Sequence, residues 1–404
     1  MKFALVSHTL PPSLSGQAIM IYRLLSSVDP SQYCLLSRQD YSKRVRDEGS
    51  NQRLPTRYYH LPIRWELKRG YRFGLARVRE FVNVPLGILS RGFQIARIMK
   101  REQCEAVIAC TGDLVDLPAA YLASRLVRAK FYAHLFDYYS FQWMDPLARY
   151  FAQRLEPGLM RGAAGIISPN EFMTDELKRR YGVSSTVIRN PCDLSEYEGH
   201  LNGASGNSDG EIQIVYTGAI YDAHYDAFRN LIAALDLLGS PAAKLHLYTS
   251  TPASYLAERG IRGPVVRHEP QPASAMPDIQ RRADILFLPL SFNSPYPEVI
   301  KTSATSKLGE YLASRRPILV HAPADCFLSW YFRQQRCGVV VDKAEPKQLA
   351  QTIEMLVRNL DLQEQISASA WNCARTEFSI RTAQTRFAAL MELSERSGQR
   401  KGFD

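Results

Sequence analysis

The stretch SATSKLGEYLASRRPILVHAP, residues 303–323, sets Lys307 and Glu310 three residues apart just ahead of an apolar run. In a helix that begins near Ala304, the two side chains occupy neighbouring sites of one face. The hydroxyl-bearing residues before them, Thr302, Ser303, Thr305 and Ser306, would supply N-cap oxygens beside free backbone amides. Free N–H groups and an ammonium suit a diphosphate, and a carboxylate one turn further in can accept both hydroxyls of a ribose. Together they would hold a nucleoside diphosphate. The ordinary alternative is a surface ion pair worth only ~0.3–0.5 kcal/mol. The apolar runs on either side, DILFLPL (284–290) and PILVHA (317–322), favour the ligand, because open α/β sheets bind ligands at the ends of their strands.

Two other places have the same character. After KFALVSH (2–8), the residues SLSGQ (13–17) lead into a helix; Gly16 would let the backbone approach a ligand, and the helix start would offer amides to an anion. A Ser-capped helix start explains that stretch equally well. At the end of KFYAHL (130–135), His134 and Asp137 follow an apolar run. A histidine of near-neutral pKa that faces a cleft can exchange protons or bind a sugar hydroxyl, and a carboxylate can accept a hydroxyl proton; a satisfied structural histidine is the alternative.

Along its length the chain alternates short apolar runs with helical patterns. EAVIAC (105–110), GIIS (165–168) and STVIRN (185–190) continue the strand series, with helices expected over 17–28, 115–128, 146–161 and 170–180. Residues 191–211 have linker composition, and the alternation restarts with IQIVYTG (212–218), KLHLYTS (244–250), PVVRH (264–268) and CGVVVD (337–342). The expected fold class is α/β, with two Rossmann-like, doubly wound parallel-sheet domains facing a cleft. The expected divisions are a first domain over 1–195, a second over 211–377, and a C-terminal helical segment over 378–404.

The order ISPNEFMTDELKRRYG, TVIRNPCD, IVYTGAI, ADILFLPL and SKLGEYLASRRPILVHAP resembles the GT-B glycosyltransferases of family four, over nearly the whole chain. The resemblance implies a retaining transfer, a nucleotide-sugar donor in the second domain (211–377), an acceptor in the first (1–195), a last helix in 378–404 that crosses back to the first domain, and neither metal ion nor cofactor. By position, Glu310 matches the second glutamate of the family's Glu, seven residues, Glu motif, which binds the ribose. Gly16 matches the glycine loop after the first strand and Gly218 the glycine that opens the donor site. His134 or Asp137 falls where the family keeps its catalytic or sugar-contacting residue.

Three departures stand out. Thr302 replaces the first glutamate of that motif, with Glu298 the nearby carboxylate, and the family's Arg and Lys after the second glycine are missing from TGAIYDAHYDAFRN, where only His224 and Arg229 are candidates. A departing nucleoside diphosphate carries most of the developing charge. Lys307 with the amides around it is the expected replacement, Thr305 and Ser306 being adjoining donor contacts and Lys301 a helper. Besides a transferase, the sequence admits a GT-B-like scaffold without donor chemistry and a sugar-nucleotide epimerase.

Of 404 residues, 46% are hydrophobic and 22% charged, a globular balance, and seven scattered cysteines with no Cys-x-x-Cys argue for reduced thiols in the cytoplasm. No apolar run reaches the ~20 residues of a membrane span, and the start does not read as a signal peptide. The net charge of +10 equals the excess of one segment: residues 51–101 hold twelve Lys or Arg against two Glu, interleaved with Tyr58, Tyr59, Trp65, Tyr71, Phe73 and Phe81. With no nucleic-acid motif there, the expected partner of that segment is an anionic membrane surface, reached from the inner face of the plasma membrane, with a glycan or lipid-linked acceptor.

Overall fold

A computed structural model describes residues 1–41, 52–67, 76–198, 210–238 and 242–393. The chain divides into two compact units, one of Met1–Arg189 with the residues from Ala383 on, the other of Asn190–Thr382.

The first unit is built on β1 (Phe3–Val6), β2 (Tyr33–Ser37), β3 (Arg57–His60), β4 (Ala106–Cys110), β5 (Lys130–His134), β6 (Gly165–Ser168) and β7 (Thr186–Val187). They form one parallel sheet in the order β3-β2-β1-β4-β5-β6-β7. Strands β1, β2 and β4 are buried at every residue, the mark of a sheet covered on both faces. The strand order reverses between β1 and β4, where loops leave in opposite directions and open a crevice. The second unit carries β8 (Ile212–Thr217), β9 (Ala243–Tyr248), β10 (Val265–His268), β11 (Ile285–Pro289), β12 (Ile318–His321) and β13 (Val339–Val341), in the parallel order β10-β9-β8-β11-β12-β13. Its reversal lies between β8 and β11. The expected class, two doubly wound α/β domains, is the one observed.

In the first unit, two strands and one long helix escape the sequence reading. Strand β2 is a five-residue buried run, and β3, RYYH, is a short edge strand with exposed Arg57 and His60 at its ends. The third is the helix Ala76–Glu102, in the segment read for its charge and its aromatic residues. It lies close against the helix Asp116–Val127, because Gly92 has no side chain: a β-carbon there would stand 2.8 Å from Leu122 Cδ2 and 3.2 Å from the Ala119 carbonyl oxygen.

The expected linker is structured in its first part. Cys192 N–H donates to the Phe378 carbonyl at 2.7 Å, and the buried Tyr197 hydroxyl donates to Gln280 Oε1 at 2.8 Å, so residues 190–198 pack on the second unit. The helix Ile380–Leu390 sets Phe387 edge-on to Phe3, ring centroids 5.9 Å apart, within the first unit. Tyr71, Phe73 and residues 394–404 of the expected C-terminal segment lie outside the described residues.

Candidate active site

In the second unit, the loop after β8 and the turn before the helix Leu308–Ala313 meet at the strand reversal. Gly218 extends the β8 pairing, donating to the Tyr248 carbonyl at 2.8 Å, and then turns with φ +124°, a conformation open to glycine. A β-carbon at Gly218 would stand 3.1 Å from Lys307 Cε and 3.2 Å from its Nζ. The Lys307 ammonium donates to the Tyr216 hydroxyl at 3.2 Å and to Thr305 Oγ1 at 3.4 Å, and lies 4.6 Å from the Tyr216 ring centroid. Tyr216 in turn donates to the Ala219 carbonyl at 2.7 Å, so one buried phenol fixes both the lysine and the turn that faces it. Burial pulls the Lys307 pKa below its ordinary value, while the nearby Tyr311 and Glu310 work to raise it. An anion that reached Nζ would oppose that burial cost.

The sequence placed the helix start near Ala304; the helix begins at Leu308 instead. Lys307 is its N-cap residue and accepts no side-chain cap, so the expected hydroxyl caps are not made. Leu308 N–H bonds the Thr305 carbonyl at 3.2 Å, a turn that aims Thr305 at the lysine, and Ser306 is exposed. Glu310 follows in the first helical turn and is half-buried. Glu298 sits on a separate helix, Pro297–Thr302, where Thr302 Oγ1 donates back to its carbonyl at 3.1 Å; Lys301 is exposed.

The two basic candidates after Gly218 diverge. His224 is buried beside Tyr216 and Tyr221, and burial followed by the Lys307 charge pulls its pKa down to about 3, so it is neutral. Arg229 donates to the Arg259 carbonyl at 3.2 Å. The start of the helix Tyr225–Leu235 holds a carboxylate of its own: Asp226 accepts from the Ala227, Phe292 and Asn293 amides at 2.8, 2.8 and 2.9 Å.

In the first unit, Thr111, just beyond β4, joins the predicted places. Its amide donates to the His134 carbonyl at 3.0 Å; its hydroxyl accepts from the Phe136 and Asp137 amides at 2.8 and 3.4 Å; its carbonyl accepts from Gln17 Nε2 at 3.0 Å. Gly16 is the first residue of the helix Gly16–Leu25, and Ser15 caps it, accepting from Ala18 N–H at 3.2 Å. The Ser-capped start is therefore what this stretch forms. Gly16, His134 and Asp137 thus belong to one crevice, at the ends of β1, β4 and β5.

His134 departs from the near-neutral histidine expected. It is 1% exposed, stacks on Phe136 with centroids 4.5 Å apart, leaves Nδ1 without a hydrogen bond among the described residues, and is pushed by burial to a pKa of about 3. Asp137 is the exposed member. Beside them lies a cluster that the sequence reading missed. Arg91 NH1 pairs with Asp113 Oδ1 at 2.6 Å and Asp116 Oδ1 at 2.5 Å, while His8 and Arg38 approach Asp113 Oδ2 at 3.9 and 4.0 Å. Burial, then the Asp113 charge, pushes the Asp116 carboxyl up; Asp113, despite burial, is held down by Arg91. Arg91 lies on the unforeseen helix, 22 residues before Asp113, and no local pattern joins them.

Residues 51–196 match the family described as Glycosyltransferase Family 4. Among curated proteins, no sequence matches the chain. Similar solved structures include a glycosyltransferase from Rickettsia africae (13% identity, TM-score 0.65, 97% of this chain and 99% of that one). They include HepE of Anabaena in complex with UDP and glucose (13%, 0.64, 97% and 99%) and sucrose-phosphate synthase of Thermosynechococcus elongatus (13%, 0.67, 97% and 98%). With two parallel sheets of seven and six strands, the chain has the GT-B glycosyltransferase fold and matches Glycosyltransferase Family 4 over residues 51–196.

Proposed function

We propose that this protein is a retaining, metal-independent glycosyltransferase that moves a sugar from a nucleotide-sugar donor to a hydroxyl of a glycan or lipid-linked acceptor. The observation that carries the reading is the half-buried ammonium of Lys307 against the side-chain-free face of Gly218, with the Glu310 carboxylate one turn away. That arrangement offers a cation to a diphosphate and an acceptor pair to a ribose. The names of similar structures, UDP with HepE among them, support the donor class.

In the step itself the bond from the anomeric carbon to the β-phosphate oxygen breaks, and the acceptor oxygen bonds to that carbon on the same face. The acceptor proton passes to the departing diphosphate, and Lys307 neutralises the charge left behind, as does Thr305 by hydrogen bonding. Neutral His134 acts as a hydrogen-bonding group and Asp137 as the exposed carboxylate that orients a hydroxyl. Gly16, at the capped helix start, lets substrate come close.

A second reading, a scaffold that binds nucleotide sugars without turning them over, is favoured by one observation: Asp226 fills the helix start where the resemblance implies basic residues. One experiment separates the two. Thermal unfolding against UDP, GDP, ADP and CMP should single out a stabilising nucleotide. Its sugar conjugates should then be hydrolysed slowly in the absence of acceptor. Stabilisation without hydrolysis or transfer supports the scaffold; an isomerised nucleotide sugar supports an epimerase; no stabilisation by any of them overturns the donor-site reading.

A further inference from the structure

We propose that the outward face of the helix Ala76–Glu102, with residues 63–67 alongside, docks this protein on an anionic lipid bilayer. The helix is 27 residues long, and from 78 to 89 none of its side chains is fully buried. Val78, Phe81, Val82, Leu89 and Phe93 are exposed by 36–59% and share a sector of roughly 120° at 3.6 residues per turn. Trp65 extends this face, its ring centroid 6.0 Å from that of Phe93, and the chain beside it is anchored by Leu67 N–H to Asn83 Oδ1 at 2.9 Å. Phe81 carries the face onward to the exposed Tyr150, at 6.4 Å, with Arg154 over that ring at 5.5 Å. So much contiguous exposed apolar surface marks a docking site.

Charge selects the occupant. The last turns of the helix carry exposed Lys100 within this sector and exposed Arg97 and Arg101 beside it, with Arg64 near Trp65; Glu66 lies next to Trp65, and Glu80 is on the opposite side of the helix. An apolar sector of Trp, Phe and Leu bordered by cations suits a helix lying in the plane of an anionic leaflet. Among the described residues no helix is long and apolar enough to cross a membrane. The structure also redistributes the charge that the sequence placed here. Arg91 is consumed by Asp113 and Asp116, Arg57 pairs with Glu102 at 2.7 Å, and Tyr59 is bonded to the same glutamate. The apolar sector, with the basic end as its complement, carries the interaction.

The test is sedimentation of the full chain with phosphatidylcholine vesicles, with and without phosphatidylglycerol, at low and high salt. Wild type should partition onto the anionic vesicles, less so at high salt and much less onto neutral ones. Reversing two charges, Arg97→Glu with Lys100→Glu, should lower anionic partitioning more than tenfold, since each basic residue contributes roughly fivefold. Leu89→Ser with Phe93→Ser should lower it at both salt concentrations, with the unfolding temperature and nucleotide binding retained. Equal partitioning onto both vesicle types, or none onto either, overturns the proposal. So does a concentration-dependent dimer that Phe93→Ser converts to monomer, which would assign the face to a second copy of the chain.

Discussion

Gly218 and Lys307, 89 residues apart in sequence, stand so close that a β-carbon on the first would touch the side chain of the second at 3.1–3.2 Å. The glycine is required twice, by its φ of +124° and by the amine it faces. Gly218→Ala should therefore cost about 1–3 kcal/mol of stability and also push the Lys307 ammonium aside, weakening nucleotide binding. Gly182→Ala is the control: its φ of +70° also strains an L-residue, but nothing lies within 4 Å, so only stability should fall. Calorimetric titration of both variants with the stabilising nucleotide checks this. Equal affinity in the two would separate Gly218 from the donor site.

Lys307 should carry a pH signature. Its pKa is lowered by burial, so it loses its proton at a lower pH than an exposed lysine. A diphosphate binds the charged form, and donor affinity should therefore fall as pH rises through that depressed pKa. In Lys307→Arg the fall should vanish, because guanidinium stays charged. Lys307→Ala should reduce turnover more than donor affinity, since charge on the leaving diphosphate is greatest in the transition state. An affinity that is flat with pH in wild type would remove the ammonium from the site.

Glu310→Gln keeps the shape of the side chain and loses an acceptor charge. Nucleotide affinity should drop roughly tenfold, as expected for a charged hydrogen bond worth about 1.5 kcal/mol or more. Binding of a 2′,3′-dideoxy nucleotide should be unaffected by the substitution. If wild type and variant bind the ordinary nucleotide equally well, Glu310 is a structural residue.

Most of the sheet framework could be read from the sequence because parallel strands buried on both faces are continuous apolar runs, and the chain supplies eleven of them between polar turns. Strand β3 lacks that contrast, β2 was passed over although YCLLS is such a run, and the helix Ala76–Glu102 was overlooked because its many arginines and aromatic residues drew the reading toward charge. Lys307 and Glu310 were legible as a pair since both lie within one turn of chain. Tyr216, which holds the lysine, was not, because a tyrosine inside a buried strand looks like core until the hydrogen bond at its tip is seen. Arg91 with Asp113 and Asp116 was hidden for a similar reason: the partners meet only once the two helices pack.

Three buried neutral histidines should make the protein acid-sensitive. Burial brings His134 and His224 to a pKa of about 3 and His321 to about 4, against 6.5 in the unfolded chain. Between those values the unfolded state holds the extra proton, so stability is full above pH 6.5 and falls as pH drops toward 4. Each such histidine contributes at most about 1.4 kcal/mol per pH unit. His134→Gln should flatten the fall in unfolding temperature over that window. An unchanged slope would show that this imidazole titrates normally in the folded protein.

The cluster around Arg91 gives the last prediction, one of stability. Asp116 is 1% exposed and shares the Arg91 guanidinium with Asp113. Arg91→Met preserves much of the side-chain volume but leaves two buried carboxylates facing each other, and breaking a buried pair in this way costs about 3–5 kcal/mol. The loss should shrink on acidification, because protonation relieves the repulsion: with Arg91 gone, both folded-state carboxyl pKa values rise above the unfolded value, and the variant gains on wild type as pH falls from 7 toward 5. Arg91→Met with Asp116→Asn should recover part of the loss at pH 7, since one charge then remains near His8 and Arg38. Thermal unfolding of the wild type and both variants across that pH range decides it. A difference in unfolding temperature between Arg91→Met and wild type that does not change with pH would mean that the cluster contributes packing alone.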